Sequence, residues 1–208
     1  KMITGKTLPT IILTNHFGSW EDYLLSMRAD YRRRVRQLSF PFSEIQKKHV
    51  ACSGFDKPMY DQYLAVLKRS KGKLETLSIE FFRKLPSNFN LTAFYNTEKL
   101  IGWYISCTFN EKFYFFLGGV DYRVNRKFNT YFNILLSVVR EGIEKRAFLI
   151  DLGQTAEIPK LRLGGKLAEK KMAGYHSNPV MRKLMKAGRH LLEYSAVLKE
   201  QHVFKEIR

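Results

Sequence analysis

The chain has 208 residues, 45% of them hydrophobic and 14% aromatic. That length and composition exclude a disordered chain and suit one mixed α/β globule with a sizeable core, expected to occupy the whole of 1–208. Thirty-six Lys and Arg against nineteen Asp and Glu give a net charge of +17, which favours phosphate-bearing partners: nucleic acid, a nucleotide or coenzyme, or an anionic membrane face. No apolar stretch is long enough to span a bilayer and no signal-peptide pattern is read, so a cytoplasmic location is expected. Cys52 and Cys107 lie far apart in predicted strands and read as free thiols.

In chain order, Thr10 to Thr14 predicts a short strand. Ser19 then caps a helix, with Asp22 three residues on, and apolar residues recur with helical spacing from Trp20 to Leu38. Arg28, Arg32 and Arg36 stand one turn apart on its other face. A strand near His49 to Cys52 follows, then a helix from Pro58 to Lys71 and a third from Leu77 to Leu85, stopped by Pro86. These elements fill 10–86. Leu91 to Tyr95, Leu100 to Phe109 and Lys112 to Leu117 are rich in β-branched and aromatic residues with hairpin-sized breaks, which predicts an antiparallel meander. A helix from Asn129 to Arg146 leads to the apolar strand Phe148 to Leu152, and this crossover makes that strand parallel to a meander strand. A short helix from Ile158 to Leu163 and a strand from Leu167 to Tyr175 complete the 90–176 core. Asn178 and Pro179 open a basic helix within 178–200. The fold class is α/β: a mixed central sheet with an antiparallel meander, flanked by helices.

The order of three meander strands, helix, strand, short helix and strand is the core order of the GNAT acyltransferases. Leu100-Ile101-Gly102-Trp103, Phe113 to Asp121, Tyr131, Asp151-Leu152-Gly153 and Lys160 ahead of Gly164, with the earlier Trp20 to Leu24 and Tyr31 to Arg36, resemble the FemABX-like, BioF2-like branch of that superfamily. The resemblance implies transfer of an acyl or aminoacyl group from an acyl-CoA, acyl carrier protein or aminoacyl-tRNA donor to an amine or hydroxyl. No permanently bound cofactor is implied. It also implies a phosphate-bearing donor, tRNA among the candidates, and pairing with a second such domain or a second copy.

The same resemblance places a functional lysine at Lys160, an electrostatic partner for phosphate or a developing oxyanion. Asp151 at its strand end either orients that lysine or the acceptor amine, or caps the next helix, and Gln154 lies beside them. Gly118-Gly119 either admit a donor to the backbone, as the splayed strand of GNAT folds does, or form a plain turn. The junction from Asp121 to Asn129 departs from the glycine-rich pyrophosphate loop of the superfamily. There Arg123, Arg126 and Lys127 either hold phosphate by side chain or form a solvated loop. Arg32 and Arg36 belong to the arginine stripe read as an anionic-substrate footprint, and Trp103 is assigned to donor binding. Tyr114, Tyr122 and Tyr131 are candidate proton donors, and Glu80 and Asp121 candidate acceptors. No histidine or cysteine pattern suggests a metal or a covalent nucleophile, so direct transfer in a ternary complex is expected. The competing reading is a non-catalytic GNAT-like domain that binds nucleic acid or an anionic membrane.

Overall fold

The computed structural model describes residues 2–70, 75–192, 194 and 201–205. The strands are β1 (Ile3–Thr14), β2 (Gln46–Val50), β3 (Phe89–Asn96), β4 (Lys99–Phe109), β5 (Lys112–Val120), β6 (Leu149–Asp151) and β7 (Lys166–Gly174). The helices are α1 (Trp20–Ser26), α2 (Ala29–Ser39), α3 (Lys57–Arg69), α4 (Ile79–Arg83), α5 (Tyr122–Phe128), α6 (Thr130–Glu144), α7 (Glu157–Leu161) and α8 (Pro179–Leu192). The strands join in one sheet of order β2-β3-β4-β5-β6-β1-β7. The β2 to β5 ladders are antiparallel, and β5 and β6 are parallel, as the α6 crossover between them requires.

Each face of the sheet carries its own core. Trp103 and Tyr104 are adjacent on β4 and both fully buried, so they point to opposite faces. Tyr104 joins the core beneath α1, α2 and α6, with Tyr23, Val35, Phe113, Val139 and Ile150. Trp103 joins the core beneath α3 and α4, with Phe55, Met59, Tyr63 and Phe82. The consecutive aromatics of β5 are shared between the faces. A register shift between Ile105 and Ser106 of β4 leaves Phe116 unpaired, so Phe113 and Phe115 serve the first core while Phe116 meets Phe81 and Phe89 on the second.

Several boundaries differ from the sequence reading. β1 begins at Ile3 rather than Thr10, and the shift in its pairing with β7 between Thr7 and Thr10 spans Pro9, which has no N–H for a ladder. The helix expected to run on from Ser19 is two helices. Ser19 caps the first, its hydroxyl accepting from Asp22 N at 3.1 Å. The chain breaks at Met27 because residues 203–205 dock there: Arg28 N donates to Val203 O and Lys205 N to Ser26 O, both at 2.9 Å. Gly118 and Gly119 lie inside β5 rather than in a turn, and Cys52 sits in a tight turn rather than a strand. The C-terminal helix is described to Leu192; its predicted extension over 193 and 195–200 lies outside the described residues. Among the described residues no helix is long and apolar enough to cross a membrane.

Candidate active site

The parallel pairing of β5 and β6 is brief. It runs from Lys112↔Leu149 to Tyr114↔Asp151 and stops. Beyond that point the chain stays with β1, Leu152 N donating to Ile11 O at 2.8 Å and Ile11 N to Gly153 O at 3.2 Å, while β5 continues to Val120 paired with β4 alone. The two strands therefore open into a wedge at their carboxyl ends, where ligands gather in α/β sheets.

Lys160 closes the base of this wedge. It comes from α7, is 1% exposed, and its Nζ donates to Gly153 O at 3.1 Å and Gln154 O at 2.7 Å. Burial lowers its pKa from the usual 10.5 to about 8, although the charges of Glu157 and Asp151 oppose the shift. An ammonium has three donors, and these two carbonyls take two of them. The carbonyls are presented by a strained turn: Gly153, Thr155 and Ala156 all have positive φ, which costs the two non-glycine residues about 1 kcal/mol or more each.

Asp151 is held, not free. Its Oδ1 accepts from Thr10 Oγ1 and from Gly153 N at 2.8 Å, so it fixes the turn that aims Lys160. Gln154 donates to Leu8 O at 2.6 Å and ties the same turn to β1. Tyr131, half-buried on α6, has its phenol pushed up, first by burial and then by Tyr122 and Glu157, so it remains a proton donor. Tyr114 is the last β5 residue paired with β6 and is half-exposed. No sequence pattern points to Glu157; it stands three residues before Lys160, one helical turn, and accepts from Tyr194 Oη at 3.2 Å.

The remaining sequence candidates lie elsewhere. Trp103 is fully buried and its indole N–H is spent on Met59 O at 3.0 Å, so it offers no surface to a ligand. Gly119 faces that indole: a Cβ there would stand 2.6 Å from Trp103 Cε2, so packing accounts for the missing side chain. Gly118 is similarly close to Trp103 O and the Phe115 ring. On α2, Arg32 caps the end of α1, donating to Leu25 O and Met27 O at 3.4 and 3.3 Å, while Arg36 is exposed. The arginines that gather around a recess of about 360 Å³ are instead Arg33, Arg34 and Arg162. Glu80 lies in the first turn of α4, on the α3–α4 side of the sheet.

The junction after β5 is a helix, α5, capped by Asp121. The Asp121 carboxylate accepts from Arg123 N at 3.0 Å and grips the Arg123 guanidinium through Nε and Nη2, both at 2.9 Å. Arg123 holds its pKa below the usual carboxylate value. The helix N-terminus that would otherwise receive an anion thus already carries one. Arg126 and Lys127 are exposed on the last turn of α5. Asp121→Ala is expected to cost about 1 kcal/mol through the lost cap, measured by urea denaturation at neutral pH. The difference should vanish as pH falls through the depressed pKa of Asp121, since the contribution requires the carboxylate.

Among the described residues no cluster of three or more metal-binding side chains is present. No family model and no curated protein sequence matches the chain. Solved structures do. FemX matches with a TM-score of 0.61 at 12% identity, over 86% of this chain and 64% of that one. The C-terminal domain assigned to a lysylphosphatidylglycerol synthetase of Agrobacterium fabrum matches with a TM-score of 0.57 at 11% identity, over 89% and 65%. L-PGS from Bacillus licheniformis gives 0.56 at 11%, over 92% and 67%. This chain thus spans about two thirds of the length of each. With the meander, the α6 crossover and the wedge between β5 and β6, the chain has the GNAT fold, in the architecture shared with FemX.

Proposed function

We propose that this chain transfers an acyl or aminoacyl group from an ester or thioester donor to an amine, directly and without a covalent enzyme intermediate. The supporting observation is the buried ammonium of Lys160 at the base of the β5–β6 wedge, with a donor to spare. The acceptor nitrogen attacks the donor carbonyl carbon, and the carbonyl oxygen gains the negative charge that Lys160 stabilises. The C–O or C–S bond of the donor then breaks. Glu157 takes the proton released by the amine, and Tyr131 protonates the leaving oxygen or sulfur. Asp151 and Gln154 act as positioning residues for the turn that holds Lys160.

Among donors, aminoacyl-tRNA fits better than acyl-CoA. The Asp121 carboxylate already occupies the α5 N-terminus, accepting from Arg123 N and pairing with its guanidinium, and its negative charge there disfavours a pyrophosphate. Arg33, Arg34 and Arg162, with the +17 net charge, suit the repeated phosphates of an RNA. A thermal-shift comparison of acetyl-CoA, acylated carrier protein, aminoacyl-tRNA and uncharged tRNA tests this choice. Aminoacyl-tRNA is expected to raise the melting temperature most and to lose its aminoacyl group to an added amine. Equal stabilisation by charged and uncharged tRNA with no transfer would make the domain an RNA binder. Stabilisation by acetyl-CoA alone would replace the donor.

A further inference from the structure

Helix α8 carries none of the residues assigned to this site. Asn178 caps it, the side-chain Oδ1 accepting from Val180 N at 2.8 Å. At 100° per residue, Val180, Met181, Leu184 and Met185 fall within an arc of about 140°, and Arg182, Lys183 and Lys186 within the opposite arc of about 100°. The apolar arc faces outward. Val180 is 67% exposed, Leu184 65%, Met181 41% and Met185 39%, with Tyr175 just before the helix at 58%. Met185 touches down at the end of β7, its Cε lying 2.9 Å from where a Cβ on Gly174 would stand. The helix thus rests on the sheet by one edge of its apolar arc and presents the rest to solvent. A contiguous apolar patch of this kind marks an interaction surface.

Charge selects the occupant. The sequence from Tyr175 to Leu192 contains no acidic residue, and edge strand β7 adds Lys166, Lys170 and Lys171 beside a 42%-exposed Leu167. A second copy would set two such basic faces together, each on a chain of net charge +17. Nucleic acid would satisfy the lysines and leave the aliphatic side chains in water. An anionic lipid surface meets both needs, with acyl chains for Val180 and Leu184 and headgroups for the flanking cations.

We propose that α8 lies in the interfacial plane of an anionic membrane, apolar arc inward. The proposal does not depend on the transferase reading. Sedimentation with phosphatidylcholine vesicles, with and without about a third phosphatidylglycerol, tests it. Binding is expected only to the anionic vesicles, falling about tenfold or more in Leu184→Asp, a substitution at an exposed position that leaves the circular dichroism unchanged. Binding should also fall in the double variant Lys183→Glu, Lys186→Glu. In Leu184→Trp the added indole emission should shift to shorter wavelength when anionic vesicles are mixed in. Undiminished binding of Leu184→Asp would reduce the interaction to bulk charge and overturn the proposal. So would a Leu184→Trp shift that appears without lipid as the protein is concentrated, since that would put a second copy on the face.

Discussion

Gly119→Ala is expected to destabilise the protein by about 3 kcal/mol, at the upper end for overpacking a core. The added methyl would stand 2.6 Å from Trp103 Cε2, closer still to Nε1, and 3.0 Å from Gln62 Cβ. None of these neighbours is the loose end of a flexible side chain. The Trp103 ring is held edge-on against Phe55, with centroids 4.9 Å apart, and its N–H is bonded to Met59 O at 3.0 Å, so it has nowhere to turn. Urea denaturation measures the loss. A double-mutant cycle identifies its source: with Trp103→Phe already in place, which removes the indole N–H edge, Gly119→Ala should cost markedly less than it does alone. A loss below about 1 kcal/mol in the wild-type background would mean that β5 can shift away from α3, and the packing account of Gly119 would fail.

Lys160→Met is expected to lower the rate of group transfer by about a hundredfold to a thousandfold, the range for removing one preorganised oxyanion partner. Folding should survive, because the charge is costly where it lies. A pKa lowered from 10.5 to about 8 disfavours the charged form by about 3 kcal/mol in the folded state. This fixes the sign of the pH dependence. Between about pH 8 and 10.5 the unfolded chain keeps a proton on Lys160 that the folded chain has released, so this group makes stability rise with pH in that window. The rise should be absent in Lys160→Met. Activity should move the other way, falling above about pH 8 as the ammonium is lost. Transfer rates and urea midpoints measured over the same pH series separate the two effects. A Lys160→Met protein with full activity would remove Lys160 from the mechanism.

Much of the sheet is legible in the sequence because its signals are local. The meander shows β-branched and aromatic runs with short polar breaks, and the crossover to β6 is implied by a long amphipathic helix ahead of a short apolar strand. The misread parts are those decided by distant residues. Periodicity runs straight through Met27, and only the docking of Phe204 and its neighbours explains the break there. Gly118-Gly119 reads either as a strand end that admits a ligand to the backbone or as a turn; here the reason for the glycine at 119 is an indole from the neighbouring strand. The Asp121 cap is visible in principle, since an N-cap residue ahead of seven non-proline residues can open a helix, but the basic run after it reads equally well as a loop.

At the site, Lys160, Asp151 and Gln154 meet because one short turn joins the end of β6 to α7 and Lys160 reaches back to its carbonyls, and the strand-end position of Asp151 signals that turn. Trp103, Arg32 and Arg36 do not join them. Whether an aromatic or an arginine faces a ligand, a core or a neighbouring carbonyl depends on strand register and helix breaks that spacing alone does not carry.

The position of β1 bears on how the chain acquires its structure. It is made before the other strands, yet its two neighbours, β6 and β7, are Leu149–Asp151 and Lys166–Gly174. During synthesis β2 to β5 find their partners within a few tens of residues, whereas β1 has both edges open until the far end of the sheet emerges. Its Ile11, Ile12 and Leu13 form an apolar run of the kind that adheres to other chains while unpaired. Slow translation after residue 120 therefore prolongs the interval in which this strand is open to misassembly, and holding it apart until β6 and β7 arrive is work for a chaperone.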